Sequence, residues 1–150
     1  VPVLAGGGVA DARGFVAMMA LGADGVMMGT RFLLSEECDI HTDFKKRLLE
    51  AKETDTKMIQ YSIRNPIRAF HNSAVDKVVE MEKKGATLEE LLTITAGKNG
   101  KRCWYDGDTQ GAVHALGQCI GQIDEIKPVS VIIEEIMQGA ERILKKLQEK

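Results

Sequence analysis

Val1-Pro2-Val3-Leu4-Ala5 runs into Gly6-Gly7-Gly8, and Gly25-Val26-Met27-Met28-Gly29 repeats the pattern of a short apolar run closed by glycine. Between them, Asp11 is placed to cap a helix whose apolar and small positions extend from Ala12 to Leu21, and Gly22 closes it. The first thirty residues therefore read strand, helix, strand. Two consecutive strands with a helical crossover imply a parallel sheet with right-handed connection. The first run already has the pattern of a buried strand, with no methionine and no lead-in, so the chain is expected to begin in the middle of a longer protein.

After Thr30-Arg31-Phe32-Leu33-Leu34 the text becomes charge-rich and helical, beginning with a segment from about Thr42 to Lys52. Asn65-Pro66 puts proline at a favoured first helical position. Ile67, Phe70, Ala74, Val78 and Met81 then recur at helical spacing as far as Gly85. Thr87-Leu88-Glu89-Glu90 is a capping box. Lys98 to Thr109 is polar and turn-rich. Gly111 to Gly121 brings small residues at close spacing, read as a helix that can approach another backbone or a ligand. After Lys127-Pro128, the positions Ile132, Ile133, Ile136, Ala140, Ile143, Leu144 and Leu147 outline an amphipathic helix with lysines in its last turn. No internal repeat or low-complexity linker is present.

The 150 residues, 44% hydrophobic and 28% charged, suffice for one core but not for a complete (β/α)8 barrel, which needs roughly 250 residues. A net charge of -2 provides no field to gather nucleic acid or an anionic membrane surface, so a small-molecule partner is expected. Cys38, Cys103 and Cys119 are odd in number and lack CxxC spacing, which argues against disulfides and against a metal site and suits a reducing, cytoplasmic location. No apolar run approaches the length of a membrane span, and no signal peptide is recognisable.

The strongest chemical signal is Ala5-Gly6-Gly7-Gly8 at the end of one parallel strand, with Gly29-Thr30 at the end of the next. Backbone amides free of side-chain bulk can close around a phosphate, and a threonine hydroxyl adds a donor. In (β/α)8 enzymes the loops after strands seven and eight often build such a site. The alternative is that these glycines serve only turns.

The segments Pro2 to Asp11, Ala20 to Val26 and Met28 to Phe32, with the distal Gly107-Asp108, Gly111, Gly117-Gln118 and Gly121, are similar to the nitronate monooxygenases, formerly called 2-nitropropane dioxygenases. The FMN-dependent enoyl-acyl-carrier-protein reductases share this pattern. The resemblance implies an α/β fold: the carboxyl-terminal portion of a (β/α)8 TIM barrel, about its last two strands, with an inserted mainly helical layer. It divides the chain into 1–35, the last βαβ part with the FMN phosphate loops; 36–126, a helical insert or lid; and 127–150, a terminal helix packing back on the barrel. It further implies FMN as cofactor, held by Gly6, Gly7, Gly8, Met27, Met28, Gly29 and Thr30, with Gln118 near the flavin side of the pocket. Gly6 stands where the family more often has alanine or serine. Met27 replaces a polar residue of many members, so a polar contact to the cofactor is lost there.

Such a flavoenzyme uses a histidine to take the proton alpha to the nitro group, and in the family that histidine lies well upstream of the glycine triplet. None of His41, His71 and His114 matches it. His41 reads as a helix cap, while His71 and His114 read as surface or packing residues on helices. No catalytic residue is therefore expected in this chain. Asp106 and Asp108 read as turn chemistry rather than an acid pair or metal site. Trp104 and Tyr105 either border the pocket or anchor a loop. Met18, Met19, Met27 and Met28 read as core filler. The implied activity is FMN-dependent oxidation of alkyl nitronates by oxygen in a homo-oligomeric oxidoreductase, of which this chain alone would be inactive. The alternatives are an FMN-dependent enoyl-acyl-carrier-protein reductase and a non-catalytic phosphate-binding module. An inosine-monophosphate dehydrogenase type of barrel explains Gly25 to Thr30 but not Gly117-Gln118.

Overall fold

The computed structural model describes residues 1–149. Strand β1 (Leu4–Gly6), helix α1 (Ala12–Ala20) and strand β2 (Gly25–Met27) form the expected unit, with Leu4 opposite Gly25, Ala5 opposite Val26 and Gly6 opposite Met27 in a parallel pair. Local chemistry explains each boundary. The Asp11 carboxylate accepts the amides of Arg13 and Gly14 at 2.9 and 3.0 Å and so starts α1. Asp24 accepts the Val3 amide at 2.7 Å and locks the entry of β1 to that of β2. Gly25 is required by packing, since a Cβ there would lie 2.9 Å from Leu4 Cδ2.

The terminal helix α7 (Val129–Gln148) packs along α1. Its buried stripe is Ile132, Ile136, Gly139 and Ala140. Gly139 permits the close crossing, because a Cβ on it would stand only 2.5 Å from that of Ala12. A short helix α2 (Thr30–Leu33) follows β2. Its buried Arg31 donates to the carbonyls of Leu34 and Glu125 at 3.1 and 2.9 Å, tying the end of β2 to the segment that leads into α7.

The middle of the chain differs from the helical layer its periodicity predicts. It contains α3 (Thr42–Leu49), an antiparallel hairpin of β3 (Thr56–Ile59) and β4 (Ile67–Phe70), then α4 (Ser73–Lys83), α5 (Leu88–Thr95) and α6 (Gly97–Asp106). Ile67 to Phe70 is thus strand, not the first turn of a helix begun by Pro66. Helix α4 starts six residues later, where Asn72 accepts the Val75 amide at 3.0 Å and donates to the carbonyls of Thr109 and Ala112. The predicted capping box of Thr87 and Glu90 is present at the start of α5. The polar stretch read as turns is mostly α6, which packs Cys103 inward and stops at Gly107 in the left-handed region.

The glycine-rich stretch from Gly111 is not a helix either. His114 to Leu116 runs extended along β4: the Phe70 amide donates to the His114 carbonyl at 2.9 Å and the Leu116 amide to the Arg68 carbonyl at 3.0 Å, while Gln118–Gln122 forms only a 3₁₀ turn. The open edge of β4 takes these amides, and glycine has low helix propensity. Strand alternation then splits the core between two faces of β4. Phe70 joins Leu34, Phe44, Leu48, Cys103, Leu116 and Ile120, whereas Ala69 joins Ile59, Val75, Val78 and Leu91.

Candidate functional site

Parallel register sets the ends of β1 and β2 side by side, so the glycine triplet and the Met28-Gly29-Thr30 loop border one cavity of about 410 Å³. Gly7 and Gly8 have φ of +92° and +75°, values costly for any other residue. At Gly7, Gly8 and Gly29 a Cβ would meet nothing within 4 Å, which leaves open space in front of the backbone. Leu33 at the end of α2 adds to this side, and the opposite wall comes from the middle of the chain: Arg68, Ala115, Leu116, Gly117 and Cys119.

Thr30 joins the two walls. Its Oγ1 accepts the Gly117 amide at 2.9 Å. Burial pushes the pKa of the buried Cys119 thiol up. Both loops therefore border the same cavity with backbone free of side-chain bulk, the arrangement that binding an anion with neutral groups requires.

Of the residues the sequence nominates, Gly7, Gly8, Met27, Met28, Gly29 and Thr30 line this cavity together. Gly6 lies one residue back within β1, where a Cβ would press to 3.2 Å from Met27 Cε. Gln118 is exposed on the 3₁₀ turn, and its neighbours Gly117 and Cys119 face the cavity instead. Arg68 and Cys119 were not legible in the sequence as site residues. Neither sits in a local motif, and both arrive through the pairing of 114–116 with β4.

The histidines take other places. His41 Nδ1 accepts the Asp43 amide at 3.2 Å and caps α3. His71 lies in the turn after β4 rather than on a helix, and its Nε2 stands 2.8 Å from Asp76 Oδ1. His114 is buried in the extended segment, its ring tilted against that of Phe44 at 4.7 Å between centroids, and its Nδ1 accepts from Trp104 Nε1 at 3.2 Å. Burial pushes its imidazole down to about 4, so it is neutral near pH 7. Trp104, Tyr105 and His114 border a second cavity of about 400 Å³, which meets the first at Ala115. Among the described residues no three His, Cys, Asp or Glu side chains gather to hold a metal, and no helix is long and apolar enough to cross a membrane.

Comparison with known proteins gives this geometry a lineage. The chain is 30% identical to a probable nitronate monooxygenase of Bacillus subtilis over 92% of its length, and 30% identical to the nitronate monooxygenase of Neurospora crassa over 99%. In each case it spans 40% of the relative. It superposes on the structure of FabK from Thermotoga maritima with a TM-score of 0.91 and 36% identity, covering 99% of this chain and 47% of that one. The profile of the nitronate monooxygenase family matches residues 1–139, and the chain belongs to that family.

Proposed function

We propose that the protein is an FMN-dependent oxidoreductase that oxidises alkyl nitronates with oxygen, and that residues 1–35 supply the last two strands of its barrel with the flavin-phosphate loops. The observation that carries this is that Gly7, Gly8, Gly29 and Thr30, from the ends of two paired parallel strands, line one cavity with open space in front of the three glycines. Amides of both loops hold the phosphate, Thr30 adds its hydroxyl, and Met27 and Met28 provide apolar contact. The isoalloxazine, when bound, supplies the redox chemistry. Residues 36–126 form the lid over the cavity, and 127–150 pack back on the barrel. Gln118 reaches the flavin side only by turning from its exposed position. Gly6 supports the triplet from within β1.

The base belongs outside this chain. His41 is engaged as a cap and His71 faces Asp76, while His114 is neutral and turned into the core. The 150-residue chain with excess FMN is therefore expected to consume oxygen with 2-nitropropane anion no faster than free FMN, since general-base catalysis alone contributes about 100- to 10,000-fold. Saturable, protein-dependent uptake abolished by His114→Ala would overturn the placement of the base.

The second reading is reduction of an enoyl thioester, favoured by the pattern that Pro2 to Phe32 shares with the enoyl-acyl-carrier-protein reductases. Full-length protein should acquire a flavin spectrum and take up oxygen with nitronate. Oxidation of reduced nicotinamide that depends on an enoyl thioester would instead select the second reading. Bound flavin with neither reaction would leave a phosphate-binding module. The open edges of the β1–β2 pair favour a homo-oligomer, tested by sedimentation. Three free thiols favour a reducing, cytoplasmic setting.

A further inference from the structure

Arg68 is the one charged side chain among the described residues lining the cavity of the two glycine loops. It lies on β4, in the layer that faces the loops, and its Nη1 donates to Thr56 Oγ1 at 3.0 Å. Thr56 in turn donates to the Glu53 carbonyl. No carboxylate among the described residues pairs with the guanidinium. A partly buried guanidinium, tethered by a neutral hydroxyl and facing a pocket of amide donors, is a positive charge without its counterpart. The Arg68 backbone is fixed as well, its carbonyl accepting from Leu116, the residue just before the Gly117 that meets Thr30.

From this juxtaposition we infer that Arg68 is the charge partner of the phosphate monoester bound by the glycine loops, and that it makes the site selective for a phosphorylated flavin. The inference rests on the proposed reading of the cavity as a flavin-phosphate site. Neutral amides shape the anion's position but leave its charge of about -1.5 to -2 uncompensated. A guanidinium offers a fork matched to phosphate oxygens. Because Arg68 belongs to the hairpin and the amides to the βαβ unit, the phosphate also bridges the two walls.

The test measures the affinity of full-length protein for FMN and for riboflavin, which differ only in the phosphate, with Arg68→Gln and Arg68→Lys as variants. Arg68→Gln is expected to lose about 10- to 100-fold in FMN affinity with riboflavin binding unchanged, and Arg68→Lys to keep part of the preference. FMN binding should also weaken as salt rises from about 50 to about 500 mM, while riboflavin binding does not. That measurement needs no variant and stands if Arg68→Gln fails to fold. An Arg68→Gln protein that keeps the full preference, or salt-independent FMN binding, overturns the role of Arg68 alone. No preference for FMN over riboflavin in the unsubstituted protein overturns the phosphate site and Arg68 with it.

Discussion

The βαβ unit of residues 1–35 and the layer of 36–126 treat apolar surface in opposite ways. In the layer, Phe70 and Leu48 are 0% exposed and Phe44 is 1%, in a core that Ala10 and Leu34 of the unit join. In the unit, Leu4 and Met27 on paired strands are 65% and 66% exposed. Parallel strands are ordinarily covered on both faces; here α1 packs against β2 and against α7. The most fully buried aromatic side chains thus lie in the layer, while the unit leaves open space in front of Gly7, Gly8 and Gly29. The candidate site lies where the two meet, and its cavity is lined by residues of both.

The largest effects should break or keep this contrast. Phe70 packs edge-on to Phe44 at 6.2 Å and lies under Arg47. Phe70→Ala is expected to cost about 3–5 kcal/mol in denaturant unfolding, and Leu4→Ala about 0.5 kcal/mol. Equal losses would mean that the unit is as well packed as the layer. Next is His114, whose folded pKa lies below its ordinary value through burial. The unfolded state then binds the proton first, so stability falls as pH drops from about 6.5 to about 4, by up to about 3 kcal/mol. His114→Gln should flatten this pH profile, and an unchanged profile would refute burial as its cause. At the seam of the unit, Gly139→Ala sets a methyl against Ala12 and should cost about 1–3 kcal/mol, whereas the same change at exposed Gly97, with nothing within 4 Å of a Cβ, should cost less than 1 kcal/mol.

The same contrast explains what was legible in the sequence. The unit is written in local signals: Asp11 caps, Gly22 ends, glycines bound each strand, and six of the eight nominated site residues do line one cavity. The layer depends on distant partners. Ile67 and Phe70 fit helical spacing, but Asn72 stops a helix from starting before it, and β3 becomes visible only once β4 is known to be strand. His114 was read onto a helix because Gly111 to Gly121 is dense in small residues, yet its backbone goes to β4. Arg68 enters the site through that same pairing. Side chains carried by tertiary register leave no local mark.

The smallest predicted effect tests how the layer holds its irregular hairpin loop. Gln60 has φ of +66°, a left-handed conformation unfavourable for a residue with a side chain. The Glu82 carboxylate on α4 accepts the Gln60 amide at 2.8 Å and the Ser62 amide and hydroxyl at 2.9 Å each, which offsets that cost. Burial alone would raise the pKa of Glu82, but the donations from Ser62 and Gln60 prevail and lower it. A depressed carboxylate contributes stability above its unfolded value of about 4.3 and loses it as pH falls through the folded one. Glu82→Gln keeps the shape but has one acceptor oxygen and no charge, so it should cost about 1 kcal/mol at neutral pH. The difference from the unsubstituted protein should shrink below about pH 4, where Glu82 itself becomes protonated. A difference that persists undiminished to about pH 3 would show that the loop is held by packing of the Glu82 stem and not by its charge.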